Sequence, residues 1–320
     1  MSVTINLKPL VDLPIWQQLQ FLPVSSILGM SMCNYKKGYS AVHSRYVYYL
    51  ASATSFWRYD TVANSWQQLA NPPGGTVGAG TTLTYDPSAG TAGKVWALIS
   101  NGTAAPTFQV YDCALNTWTA RSVTNLPATF GTDAVLTHTC STYDVAGNDD
   151  YIYLIGNNAT VFYRYSISGN SWISTLTAVT AAPGAGCALI WTPGWNTNRI
   201  VCIRGGATAT VYYYQITENN WTPITYIPAT ETFSTGTMAA HKIGSDSIYI
   251  QKDITGRIYK LDLTNSILRP VTTLTKVTMG TAIVGDRLLH TESEDGVPYI
   301  YLGQHTGPYF FRVGLFTGIS

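Results

Sequence analysis

Tyr59-Asp60-Thr61-Val62-Ala63-Asn64-Ser65-Trp66 sets an aromatic residue, a carboxylate, an asparagine and a tryptophan in fixed order. The order returns at Tyr111-Asp112 to Asn116 and Trp118, at Tyr165-Ser166 to Asn170 and Trp172, and at Tyr214-Gln215 to Asn219 and Trp221. A fifth copy, Leu261-Asp262 to Leu268, lacks the tryptophan. Phe310-Phe311-Arg312-Val313 repeats the approach Phe56-Trp57-Arg58-Tyr59, and the sequence stops at Ser320, where the tryptophan is due. Trp16-Gln17-Gln18-Leu19 copies Trp66-Gln67-Gln68-Leu69 and supplies that missing half. A last unit that borrows its final strand from the first segment describes a closed ring of six repeats.

Within each unit, Gly, Pro and Asn cut out four short strands. In the second unit these are expected over 80–85, 94–100, 107–112 and 117–121. No segment keeps a helical period, and β-branched and aromatic residues fill the strands. Four residues before the Asp position stand Phe56, Phe108, Phe162, Val211, Ile258 and Phe310; one residue before it stand Tyr59, Tyr111, Tyr165, Tyr214, Leu261 and Val313. Strand side chains alternate, so these apolar columns occupy opposite faces and the strand is covered on both. Asp60, Asp112 and Asp262 open the turn into the fourth strand, where a carboxylate accepts backbone N–H bonds. Trp16, Trp66, Trp118, Trp172 and Trp221 are read as blade anchors.

The Tyr-Asp dipeptide with Asn-x-Trp after it resembles the kelch repeat, and Gly205-Gly206 after Val201-Cys202-Ile203 is similar to that family's double glycine. Other blades carry Asn101-Gly102 or Gly156-Asn157 instead, which marks a divergent member. The resemblance spans residues 13–320 and implies an all-β, six-bladed β-propeller, four antiparallel strands per blade. The last blade, over 280–316, is expected to be closed by the N-terminal strand 15–20. Residues 1–12 then form an arm outside the ring. Fold alone leaves function open, because propellers host enzymes, adaptors and structural rings alike.

The chain has 320 residues, 46% of them apolar, with 22 Tyr and 9 Trp, but only 11% charged against a usual quarter. A net charge of +1 argues against a nucleic-acid or anionic-membrane binder, and no apolar run approaches a membrane span. Met1 to Leu13 has no signal-peptide pattern, which points to synthesis in a cytoplasm. Cys33, Cys113, Cys140, Cys187 and Cys202 form no close pair and read as small buried hydrophobes.

Catalytic signals are sparse. The copper oxidases that resemble this architecture use a Tyr-His dipeptide, and no tyrosine here precedes a histidine. His43, His138, His241 and His290 fall on expected innermost strands and could face a shared axis, where they would bind a metal or an anion. We prefer a polar residue bonded to a neighbouring blade, since no metal-ligand spacing accompanies them. Asn148-Asp149-Asp150, with Asp144, reads as a turn, as does Glu292 to Gly296. Arg58, Arg164, Lys260 and Arg312 share the position two before Asp, and a site between blades, paired or stacked on an aromatic such as Trp66, is preferred to a charged surface ring.

No catalytic, cofactor or metal residue is therefore assigned, and the chain is read as a non-enzymatic structural or adaptor protein of a virus particle, a bacteriophage tail or capsid component. Its expected partners are other virion proteins, met through the propeller faces and through the arm, where Val3, Ile5 and Leu7 alternate with polar residues. The alternative is glycan binding through Trp191 and Trp195 of Trp191-Thr-Pro-Gly-Trp195. An enzyme ranks last.

Overall fold

The computed structural model describes residues 17–24, 31–34, 45–51, 55–87, 89, 92–131, 134–139, 151–156, 159–193, 195–196, 198–225, 227–242, 245–252, 258–271, 287–292, 298–303 and 308–314. These residues form strands and turns and no helix. Trp16 and the arm residues Val3, Ile5 and Leu7 lie outside them.

Six antiparallel sheets of four strands form the blades. Blade 6 takes its outermost strand from the N-terminus, β1 (Gln17–Gln18). Blade 1 runs β2 (Ser31–Asn34), β3 (Tyr46–Leu50), β4 (Phe56–Asp60) and β5 (Ser65–Gln68). Blade 2 runs β6 (Thr82–Asp86), β7 (Lys94–Ile99), β8 (Thr107–Asp112) and β9 (Thr117–Arg121). Blade 3 holds β10 (Val135–Thr139), β11 (Tyr151–Ile155), β12 (Tyr163–Ser166) and β13 (Ser171–Ile173). Blade 4 holds β14 (Ala188–Trp191), β15 (Arg199–Ile203), β16 (Val211–Gln215) and β17 (Asn220–Ile224). Blade 5 holds β18 (Met238–His241), β19 (Ser247–Gln251), β20 (Ile258–Asp262) and β21 (Ile267–Pro270). Blade 6 adds β22 (Arg287–Glu292), β23 (Pro298–Gly303) and β24 (Phe310–Gly314) to β1.

The innermost strands β2, β6, β10, β14, β18 and β22 each pack against the next, and β22 packs against β2, which closes the propeller around its axis. The split blade forms as the repeat requires. Gln17 lies opposite Arg312 and Gln18 opposite Phe311, and the Leu19 N–H donates to the Phe310 carbonyl at 2.8 Å.

Both apolar columns are buried, and each joins a different neighbour. Phe56 meets Tyr111 and Trp118 of the next blade with ring centroids 4.9 Å away in each case. Phe108 meets Tyr165 and Trp172 at 4.8 and 4.9 Å, and Phe162 meets Tyr214 and Trp221 at the same two distances. Phe310 closes the series on Tyr59 and Trp66 at 4.9 and 5.3 Å. Edge-on pairs of this kind add about 0.5–1.5 kcal/mol each beyond area burial.

Hydrogen bonds latch the same junctions. Asn64, Asn116, Asn170 and Asn219 sit in the left-handed region, φ 48–55°, which asparagine tolerates better than most residues. There each Oδ1 accepts the hydroxyl of its own blade's tyrosine at 2.6–2.8 Å. It also accepts a backbone N–H of the preceding blade, from Gln20, Ala70, Ser122 and Thr177 in turn. The tryptophan Nε1 of each latch donates back to the carbonyl of that same residue. Asp60 and Asp112 accept two turn amides each and Asp262 accepts that of Asn265, as expected of the turn.

Gly205 in the β15–β16 connection needs its glycine. Its φ is +69°, and a Cβ would stand 2.6 Å from the Ala185 carbonyl oxygen.

Candidate functional site

At the axis, polar side chains of the innermost strands serve the adjoining blade. Antiparallel edges leave N–H groups without a ladder partner. Thr82 and Thr84 hydroxyls of blade 2 accept from the Leu136 and His138 amides of blade 3, and Thr137 accepts from Trp191 of blade 4. His138 is buried, with Nε2 3.6 Å from the carboxylate of buried Asp86, which also accepts the Trp96 indole N–H at 3.3 Å. The histidine thus faces a neighbouring blade, as preferred from sequence, but at a distance beyond a hydrogen bond.

His241 behaves differently, because its Nε2–H donates to the Ser245 carbonyl of its own blade at 2.9 Å. His43, His305 and the Asn148-Asp149-Asp150 segment with Asp144 lie outside the described residues, while His290 is described only as backbone. Glu292 ends β22 opposite Pro298, and the rest of the expected turn, 293–296, lies outside the described residues. Among the described residues no three of His, Cys, Asp and Glu gather as a metal site would require.

The paired tryptophans part company. Trp191 ends innermost strand β14 and is 2% exposed, packed with Ile200, Tyr212 and Tyr214. Its ring is core and is closed to a sugar. β14 is buried on both faces along its whole length, Trp191 included, which a two-tryptophan turn does not reveal in sequence. Trp195 is half-buried, with its amide bonded to the Thr192 carbonyl. The Arg199 guanidinium lies 4.3 Å from the Trp195 ring centroid and 4.3 Å from that of Tyr213.

The three arginines of the cation column, though not Lys260, lie over aromatic rings, but on the adjacent strand of their own blade and not on the anchor tryptophan. Arg58 lies over Tyr46 at 4.2 Å, Arg164 over Tyr151 at 4.4 Å and Arg312 over Tyr299 at 4.8 Å. Each tyrosine stands opposite the residue two after the arginine, so the pair is a cross-strand diagonal. Blade 4 inverts it: Tyr213 takes the cation position and Arg199 the tyrosine position.

Asp60 carries the one bidentate ion pair among the described residues, with Arg45 Nε at 3.0 Å and Nη2 at 2.7 Å. Burial pushes its carboxyl up, but the Arg45 hydrogen bonds and the Ala63 and Val62 amides more than offset this and hold it below the usual carboxylate value. Burial pushes the Cys113 and Cys202 thiols up to about 12, so neither is a nucleophile near neutral pH. Cys187 and Cys202 are buried as expected and Cys113 is half-buried, while Cys33 and Cys140 have no described side chain.

No protein-family model and no curated protein matches the chain. Solved structures do. A structural genomics protein of unknown function from Bacteroides thetaiotaomicron is 12% identical with a TM-score of 0.58, over 93% of this chain and 72% of that one. An auxiliary nutrient binding protein from the same organism is 10% identical with a TM-score of 0.58, over 91% and 69%. A chain of a nidogen/laminin complex is 10% identical with a TM-score of 0.53, over 76% and 79%. At these identities the likeness is one of fold alone.

Proposed function

We propose that the chain is a non-enzymatic ring of the kelch type that binds other proteins, as a structural or adaptor component of a bacteriophage particle in its tail or on its capsid. The observation that carries this reading is where the repeated side chains go. Among the described residues, the motif's Tyr, Asn and Trp lock one blade to the next at four junctions, and Asp86 and His138 face one another at the axis. The repeated groups are thus engaged in holding the ring. The chain is close to neutral, sparsely charged and rich in Thr, Asn and Ser, a composition suited to packing against protein.

The test is sedimentation of the native protein in nuclease-treated lysate of its source. Migration with large, nuclease-resistant particles is expected. Recovery only near the 34.8 kDa of a monomer overturns the particle setting.

Glycan binding is kept as the second reading, on one residue instead of two. Trp195 is the half-buried tryptophan of its turn, and one structural neighbour is named for nutrient binding. Glycan binding that survives Trp195→Ala would remove this site from consideration.

A further inference from the structure

The outer edges of the blades are not alike. The residue that closes an outer strand donates its N–H to the carbonyl of the apolar column, as Leu19 does to Phe310, Leu69 to Phe56 and Val271 to Ile258. Antiparallel pairing then turns the N–H of the residue before it away from the blade. By register those residues are Gln18, Gln68, Ala120, Pro223 and Pro270. Blades 4 and 5 carry proline there and have no N–H to offer a further strand, a common protection of sheet edges. Blade 3 ends its outer strand early, at Ile173. In blade 1 the other outward amide, that of Trp66, is taken by the Gln20 side chain at 2.9 Å.

β9 of blade 2 has none of these devices. It is five residues long and free of proline, and among the described residues no side chain accepts from the Trp118 or Ala120 N–H. Exposed aliphatic residues bracket it, Leu115 at 71% and Val123 at 37%. The position of Leu115 holds Ala63, Gly169, Glu218 and Asn265 in blades 1, 3, 4 and 5. An open edge and an apolar flank thus coincide on one blade.

We infer that β9 accepts residues 3–7 of a second copy of this chain as a fifth strand. Val3-Thr4-Ile5-Asn6-Leu7 alternates apolar and polar residues and carries no charge, so it can pair by backbone bonds and lay one apolar side on the flank. Along the sequence the segment precedes β1, which is itself an outermost strand at the rim. Pro9 and Pro14 favour an extended connection, whose nine residues 8–16 reach at most about 30 Å. Each copy gives one arm and receives one, which closes a two-fold dimer and stops there. The inference deepens the protein-contact reading, yet it is tested on purified chain alone, so it fails or stands apart from the particle setting.

The experiment is sedimentation equilibrium of the purified full chain over a wide concentration range, with hydrogen exchange at β9. The expected result is a dimer whose dissociation constant rises at least tenfold in Ala120→Pro and in a chain lacking residues 2–8. Below the parent's dissociation constant both variants should melt as the parent does, because the Ala120 N–H makes no bond within the blade. Pro223→Ala serves as a control that leaves the constant unchanged. A parent that stays monomeric at every concentration overturns the inference, as does a dimer indifferent to Ala120→Pro. A monomer whose β9 amides lose protection when residues 2–8 are removed also overturns it, because the arm then serves its own ring.

Discussion

The junction between blades 1 and 2 and that between blades 4 and 5 use the same positions with different chemistry. In the first, Phe56 meets Tyr111 and Trp118, Asn116 accepts two hydrogen bonds, and the indole returns one. In the second, Val211, Leu261 and Leu268 share one apolar cluster, and Ser266 stands at φ 56° where the others have asparagine. Apolar packing, with a backbone bridge between Thr208 and Phe233, therefore seats two blades without the latch. The aromatic latch adds directional bonds that fix how they sit. It also joins the C-terminal strand to blade 1: Phe310 on β24 is pressed on Tyr59 and Trp66. The seam between β1 and β24 is closed by backbone pairing, and the junction of blade 6 with blade 1 is latched aromatically, whereas that between blades 4 and 5 is not.

The sharpest way to break this comparison is to remove residues 1–20. That takes away β1, leaves the β24 edge open, and deletes the three bonds from Gln20 to Asn64 and Trp66. A soluble, folded monomer should not be recovered. A truncated chain that melts at the parent's temperature would show the seam to be dispensable.

Next in size is the contrast between anchors. Trp172 is 1% exposed and Leu268 partly buried, so Trp172→Ala should cost roughly 3–5 kcal/mol and Leu268→Ala about 2. Urea unfolding measures both. Equal losses would mean that the aromatic junctions are no stronger than the aliphatic ones.

The sequence displays the latch because one turn uses all of its motif: Asp holds the turn amides, Asn takes the left-handed residue, and Trp reaches the preceding blade. The expected strands of blade 2 match at 107–112 and 117–121 and differ by one or two residues at 80–85 and 94–100. Relations between strands were not legible. The arginine column points at tyrosines that only the diagonal register of the neighbouring strand brings near, and the exchange of Arg199 and Tyr213 reads along one strand as a break. Trp191 and Trp195 look equivalent in a turn, yet one ends a strand and is buried. The contrast among outer edges hides as well, since a proline matters only once its N–H direction is known.

A smaller effect separates the parts of one latch. Asn116→Ala removes the acceptor of Tyr111 and Ala70 and places alanine in a left-handed turn, at a cost of about 1–3 kcal/mol. The Trp118 indole bond to Ala70 remains. A loss as large as that of Trp172→Ala would move the weight of the latch from the ring to the asparagine.

Acid tests the turn carboxylates. In the folded chain the Asp60 and Asp262 carboxyls lie below their ordinary value of 3.8: burial raises each, and hydrogen bonds outweigh it. A depressed pKa contributes stability that is fully present above about pH 4 and lost as pH falls through the folded value. The melting temperature should drop below pH 4, and Asp60→Asn should flatten that drop in part. Both groups are partly exposed to solvent, so the effect is small. An unaltered acid profile would remove the Arg45 pair from the account.

The smallest change builds the missing piece into the aliphatic junction. Ser266 already holds the left-handed conformation, so Ser266→Asn asks for no backbone shift and suits that region better than serine. Leu261 provides no hydroxyl there. The new Oδ1 has one expected donor, the N–H of Thr225, which follows Trp221 as Ala70 follows Trp66. One such bond is worth about 0.5–1.5 kcal/mol, and the variant should melt correspondingly higher than the parent. A rise would show that the asparagine acts as a separable part of the latch, with or without its tryptophan. A neutral result would show that the asparagine needs the tyrosine and indole around it, and that blade 5 lacks the latch as a unit.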